Sequence, residues 1–220
     1  MTRIIASLVL LASFAAVPIA AQGDPPPAEH GAATAPNMPE GWLSRFDRAN
    51  ATADMAEFRA MEPGWHVTTG RAGSAIFWRP ATTAAGAYRA ATTIHLMKPA
   101  QHPEAFGLFV GGRDLEGEGH AYLYFLVRQN GQYLIKRRRG EETETVVDWT
   151  VHHAVPTASA DGSTRYDLGV QVGEQEVEFI VNGQSVHTAP RSELQTDGVV
   201  GLRVNHMLDV HVQELEVTSD

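Results

Sequence analysis

Apolar residues recur at every second position along most of the chain. Tyr88, Ala90, Thr92, Ile94 and Leu96 form one such set, Phe106, Leu108 and Val110 a second, and Leu123, Phe125 and Val127 a third. The same spacing returns in Tyr166, Leu168, Val170 and Val172, in Val177, Phe179 and Val181, in Val200, Leu202 and Val204, and in Leu208, Val210 and Val212. A period of two sends neighbouring side chains to opposite faces, so each set predicts a strand with one buried face. Gly, Asn, Asp or Pro separates nearly every pair of runs, which predicts tight turns. The last run slips phase, because Glu214 interrupts the alternation before Leu215 and Val217. A β-bulge near Gln213-Glu214 would account for it. Helix is expected only near residues 50–60, where Asp54, Met55, Glu57 and Phe58 could form a short turn. Many short strands with regular turn signals predict an all-β fold, a sandwich or barrel.

Two Asn-Gly pairs sharpen this reading, since Asn-Gly supplies the positive φ angles of a two-residue hairpin turn. At Asn182-Gly183 such a turn sets Phe179 opposite Val186 and Glu178 opposite His187. At Asn130-Gly131 it sets Tyr124 opposite Arg137 and Tyr122 opposite Arg139. The second pairing combines aromatic planes with guanidinium donors on one face. Sugars bind through stacking on aromatic rings plus planar hydrogen-bond donors, and Arg would add charge pairing to an anionic sugar. Lys136-Arg137-Arg138-Arg139 is a positive spot in a chain of net charge −9.

The order of segments carries a resemblance. A strand "AFGLFVGGRD" precedes the hairpin "YLYFLVRQNGQYLIKRRRG" and a short strand with Trp149. Then come "YDLGVQVGEQEVEFIVNGQSV" and "DGVVGLRVNHMLDVHVQELEV". Asn182-Gly183 followed by Gly198-Val199-Val200-Gly201-Leu202 is similar to the ending of secreted concanavalin A-like lectin/glucanase sandwiches, which include laminin G-like and 3-keto-disaccharide hydrolase-like domains. The resemblance covers roughly Trp65 to Val217. It implies a jelly roll of two stacked antiparallel sheets, one with a face that often holds sugar. Sandwiches of this kind host lectins, hydrolases and adhesion modules, so the resemblance names a fold before an activity.

The N-terminus changes the picture of where the domain works. Arg3 is followed by an almost wholly apolar stretch from Ile4 to Val17 and by small residues ending at Ala21. That is the layout of a secretory signal peptide cleaved near Ala21, giving a periplasmic or secreted protein. Residues 22–39, with Pro25-Pro26-Pro27, read as a Pro/Ala-rich linker. Residues 40–220 read as a single sandwich domain. The chain has no cysteine, so stability must come from a hydrophobic core. Lys+Arg 17 against Asp+Glu 26 argues against nucleic acid as a partner. No apolar run after residue 21 is long enough to span a membrane.

Four placements could carry chemistry. The hairpin face of Tyr122, Tyr124, Arg137 and Arg139 is the first. The glycine-rich loop from Gly111 to His120 is the second, with Arg113, Asp114 and His120 as contacts. Asp114, Glu116 and Glu118 in that loop offer oxygens for Ca²⁺, without EF-hand spacing. The third, Glu174, Glu176 and Glu178, alternates against core positions and reads as a solvated face. The fourth is histidine. The ten are scattered, and the adjacent pair His152-His153 would point to opposite faces of a strand, so no metal site is expected. Retaining glycosidases of the resembled superfamily carry Glu-x-Asp-x-x-Glu, which this chain lacks, and no Gly-x-Ser-x-Gly elbow occurs. The sequence therefore favours a carbohydrate-binding or adhesion module without catalysis, with a glycan as partner. A glycoside-cleaving enzyme of the 3-keto-disaccharide hydrolase-like type and a structural interaction module are the alternatives. Oligomeric state is not legible.

Overall fold

The computed structural model describes residues 38–48, 50–160 and 163–219. The expected signal peptide and nearly all of the expected linker lie outside the described residues. In chain order the first strands are β1 (Leu43–Phe46), β2 (Ala56–Ala60), β3 (Trp65–Thr69), β4 (Ala75–Ala84), β5 (Tyr88–Leu96), β6 (Ala105–Arg113) and β7 (Ala121–Arg128). They are followed by β8 (Gln132–Arg139), β9 (Glu142–Val151), β10 (Thr164–Val172), β11 (Glu176–Val181), β12 (Gln184–Pro190), β13 (Gly198–Val204) and β14 (Asp209–Ser219). They build two seven-stranded antiparallel sheets. The front sheet runs β1-β4-β13-β6-β7-β8-β9 and the back sheet β12-β11-β10-β5-β14-β3-β2. This is an antiparallel β-sandwich of the jelly-roll type.

The alternating sets fill the space between the sheets. Phe106, Leu108, Phe125, Val127 and Leu202 from the front sheet meet Ile94, Tyr166, Val170, Phe179 and Val210 from the back, all within one buried cluster. Phe106 and Tyr166 pack edge to face with ring centroids 5.0 Å apart, and Phe125 meets Phe179 at 5.3 Å. Burial of this kind contributes roughly 25 cal/mol per Å² of apolar surface. No disulfide adds to it, since the chain has no cysteine.

Three local expectations change. The segment near residues 50–60 holds only a single 3₁₀ turn, Ala53–Met55, and Glu57 and Phe58 lie on β2. Phe58 is fully buried in the core, and alternate burial of Ala56 and Phe58 draws this segment into a strand. At the second hairpin both Asn182 and Gly183 have positive φ, as a tight turn requires. A register shift past Ile180 nevertheless sets Phe179 opposite His187 and Glu178 opposite Thr188, and Val186 becomes the extra residue. At the first hairpin Gly131 has φ +80 but Asn130 is not left-handed. The loop is three residues long, 129–131, closed by Gly131 N–H donating to the Arg128 carbonyl at 3.2 Å. Tyr124 therefore pairs with Lys136 and Tyr122 with Arg138, one residue away from the expected register. The slip in β14 is present as expected, with Val212 opposite Ile94 and Leu215 opposite Thr92.

Candidate functional site

The outer face of the front sheet carries far more than a solvated surface needs. On β7 the odd positions face the core, so Tyr122, Tyr124 and Leu126 point outward. They join Ile76, Trp78 and Phe109 in a second buried cluster, separate from the main core. Tyr122 and Tyr124 are only 3% and 5% exposed. What covers them in part is the loop after β6. Leu115 is buried against this cluster, and its side chain fills the space over Gly112, where a Cβ would meet Leu115 Cδ1 at 3.1 Å. Arg45 on the edge strand β1 donates to the Leu115 carbonyl at 3.3 Å, and Gly140 N–H donates to the His120 carbonyl at 2.7 Å. The glycine-rich loop is thus fastened to strands on both sides of the sheet.

Beneath it lies a network of charge. Arg203, on β13 between core residues Leu202 and Val204, points outward beside Gly107 of β6. A Cβ at Gly107 would lie 2.1 Å from the Phe125 carbonyl oxygen of β7, so only glycine fits there. The guanidinium of Arg203 donates to both Asp47 oxygens, at 2.6 and 3.0 Å, and to the Tyr122 hydroxyl at 3.1 Å. It also lies over the Tyr124 ring, 4.9 Å from the centroid. Arg138 approaches the same Asp47 carboxylate at 3.5 Å and donates to His120 Nε2 at 3.2 Å. Burial works against ionising Asp47, but Arg203 and then Arg138 outweigh it and hold the carboxyl below its ordinary range. Burial likewise opposes the Arg203 cation, and Tyr122 and Asp47 reverse the effect and raise its pKa. Burial first, then the Arg45 and Arg138 cations, push His120 down, so the ring is neutral and accepts from Arg138.

The same face continues into a more open part. Trp149 on β9 packs half-buried against the second cluster. The Arg128 guanidinium stacks on its ring at 4.0 Å. Lys136, opposite Tyr124, is half-buried with no carboxylate partner among the described residues. An aromatic ring bearing a stacked guanidinium, with the Lys136 ammonium further along the same sheet face, is a surface that can stack a ligand ring and donate hydrogen bonds to it.

The expected site residues fall into separate places. Tyr122, Tyr124 and His120 do come together. Arg137 does not join them: it lies on the opposite face of β8 and pairs with Glu144 at 3.0 Å and the Glu193 carbonyl. Arg139 is exposed at the strand end, opposite Ala121 and Glu142. The pairing of Arg137 and Arg139 with the tyrosines fails because the loop is one residue longer than a two-residue turn. Arg113 lies opposite Ala121 at the end of β6, where it and Arg191 line a 440 Å³ groove, and donates to the Asp197 carbonyl at 3.4 Å. The Asp114 carboxylate folds over its own loop against Gly117, where a Cβ would meet Oδ1 at 2.2 Å. Among the described residues no three acidic or histidine side chains gather as a Ca²⁺ or other metal site. His152 and His153 lie beyond β9, not on a strand, and their rings stack at 4.4 Å. Sequence reading missed Asp47 and Arg203, which are far apart in the chain, and assigned Trp149 only to a short strand.

No protein-family model matches the sequence, and no curated protein matches it. Solved structures do match. A Bacillus subtilis carbohydrate-binding module, CBM66, aligns over 85% of this chain and 99% of its own with a TM-score of 0.60 at 11% identity. A Bacillus subtilis protein of unknown function with a galectin-like fold aligns over 81% and 89%, with a TM-score of 0.57 at 14% identity. A Bacteroides ovatus mixed-linkage glucan GH16 protein, in complex with a G4G4G3G product, aligns over 83% and 97%, with a TM-score of 0.56 at 8% identity. The chain therefore has the concanavalin A-like jelly-roll fold.

Proposed function

We propose that this chain is an exported carbohydrate-binding β-sandwich whose glycan docks on the outer face of the front sheet. The observation that carries the reading is the half-open Trp149 ring, which packs against the second cluster and has the Arg128 guanidinium stacked on it. An outer sheet face ordinarily carries dispersed polar side chains. Here the aromatic rings and the Arg128 and Arg203 guanidiniums are held by packing and hydrogen bonds, which lowers the ordering cost of binding a ring-shaped, polyhydroxylated ligand. The CBM66 module and the glucan-bound GH16 protein share this fold, which supports the ligand class.

Glycosidase chemistry fits this face poorly. Retaining hydrolysis uses two carboxyls about 5 Å apart, one of them protonated. Asp47, the carboxylate at the centre of the network, is held ionised beneath two guanidiniums and so cannot supply a proton at neutral pH. A glycan-array screen of the mature domain, followed by calorimetric titration of any hit, tests the proposal. Binding that weakens at least about tenfold in Trp149→Ala supports it. A folded domain that retains no glycan contradicts it.

A further inference from the structure

Three loops meet at one end of the front sheet and bring together a serine, a histidine and a glutamate. Ser74 immediately precedes β4, Glu104 immediately precedes β6, and His206 sits in the turn between β13 and β14. Ser74 Oγ lies 3.3 Å from His206 Nδ1, and His206 Nε2 lies 3.1 Å from Glu104 Oε1. An ionised carboxylate can only accept, so the Nε2 proton points at Glu104. Nδ1 is then left as a lone pair facing the serine hydroxyl, which donates to it. That is the relation of nucleophile, base and orienting carboxylate used in acyl transfer, with the two ring nitrogens exchanged relative to the usual serine-hydrolase arrangement.

The backbone holds these loops together. Met207 N–H donates to the Gly70 carbonyl at 3.2 Å, tying the histidine turn to the serine loop. Asn205 N–H donates to the Ala105 carbonyl at 2.9 Å, tying the same turn to the strand that follows Glu104. Thr69 Oγ1 donates to the Asn205 carbonyl at 2.6 Å. Met207 has φ +57, a left-handed conformation that a non-glycine residue adopts only when its surroundings impose it. Gly73 is required, since a Cβ there would lie 2.2 Å from the Met55 carbonyl oxygen. Ser74 remains half-buried, and the His206 side chain is 40% exposed, so a substrate can reach them.

We propose that Ser74, His206 and Glu104 form a nucleophilic site that cleaves small acyl esters. Ser74 Oγ bonds to the acyl carbon while its proton passes to His206 Nδ1. The tetrahedral adduct expels the alcohol oxygen, which takes that proton and leaves. Water then attacks the acyl-serine, giving its proton to Nδ1, and the serine leaves with a proton as the carboxylic acid is released. Glu104 keeps the ring in one tautomer and balances the transient imidazolium. The proposal is independent of glycan binding, because it uses none of the residues assigned to that face.

Reaction with a fluorophosphonate probe, read by intact mass and peptide mapping, tests it together with hydrolysis of p-nitrophenyl acetate. The expected result is a single adduct on Ser74, absent in Ser74→Ala and at least about tenfold slower to form in His206→Ala. Turnover should follow the same pattern across the variants. A Glu104→Gln variant that melts as the parent but loses rate supports the orienting role. No adduct on the folded parent, or an adduct that persists in Ser74→Ala, overturns the proposal. A mere hydrogen-bond chain tying the loops would give neither adduct nor turnover.

Discussion

Arg203 and Asp47, 156 residues apart in sequence, meet at 2.6 Å on the outer face of the front sheet. The pair is buried on the arginine side, where the residue is 6% exposed, and Arg138 shares the same carboxylate. Removing one member of such a pair leaves a charge in a poor solvent, which costs more than the pair itself contributes. Arg203→Met is expected to cost about 3 kcal/mol and Asp47→Asn a little less, because the Asp47 side chain is 23% exposed. The double variant should cost clearly less than the sum of the two. Urea unfolding of the four proteins gives the coupling directly, and additive costs would contradict the pairing.

Acid should lower the stability of the domain in two pH ranges. His95, His120 and His187 all have folded pKa values below the ordinary 6.5, in each case first because burial penalises the charged ring. His211 and Arg165 add to this at His95, and Arg45 and Arg138 at His120. The unfolded chain then binds more protons than the folded one just below pH 6.5, so stability is full above that value and falls as pH drops below it. Asp47 has the opposite charge type but the same sign of slope. Its lowered pKa gives stability that is present above its ordinary 3.8 and is lost as pH falls through the folded value. Thermal midpoints measured from pH 8 to pH 3 at fixed ionic strength should decline from about pH 6.5 and again below about pH 4. His120→Gln should flatten the first decline.

Two glycines in strand interiors should respond oppositely to alanine. At Gly201 a Cβ would lie 2.4 Å from the Phe109 ring and 2.5 Å from the Phe77 carbonyl oxygen, so Gly201→Ala must displace backbone. A loss of about 1–3 kcal/mol is expected. At Gly169 the nearest atom would be Ile180 Cβ at 3.5 Å, an ordinary contact. Gly169→Ala should therefore be neutral or stabilise by up to about 1 kcal/mol, through a less flexible unfolded chain. Chemical denaturation of both variants checks the contrast.

The period-two runs fixed which side chains of β5, β7, β10 and β13 enter the core, because alternation depends on local geometry alone. The outer-face network was far less legible. Whether Tyr124 faces Arg137 or Lys136 depends on a single loop residue, and Asn130-Gly131 is compatible with both lengths. The Asp47–Arg203 pair and the Ser74–His206–Glu104 chain depend on which strands lie side by side, which no local pattern encodes. The face that Trp149 occupies depends on the two register shifts between β8 and β9, which no local pattern encodes.

The central claim is that the Trp149–Arg128 surface on the outer face of the front sheet binds a glycan. The most direct measurement is isothermal titration of the mature domain with the best oligosaccharide from an array screen, for the parent, Trp149→Ala and an exposed control, Lys98→Gln. The account predicts saturable binding by the parent and control, and at least about a tenfold loss in Trp149→Ala, measured where that variant is still fully folded. Equal affinity in all three proteins would contradict it.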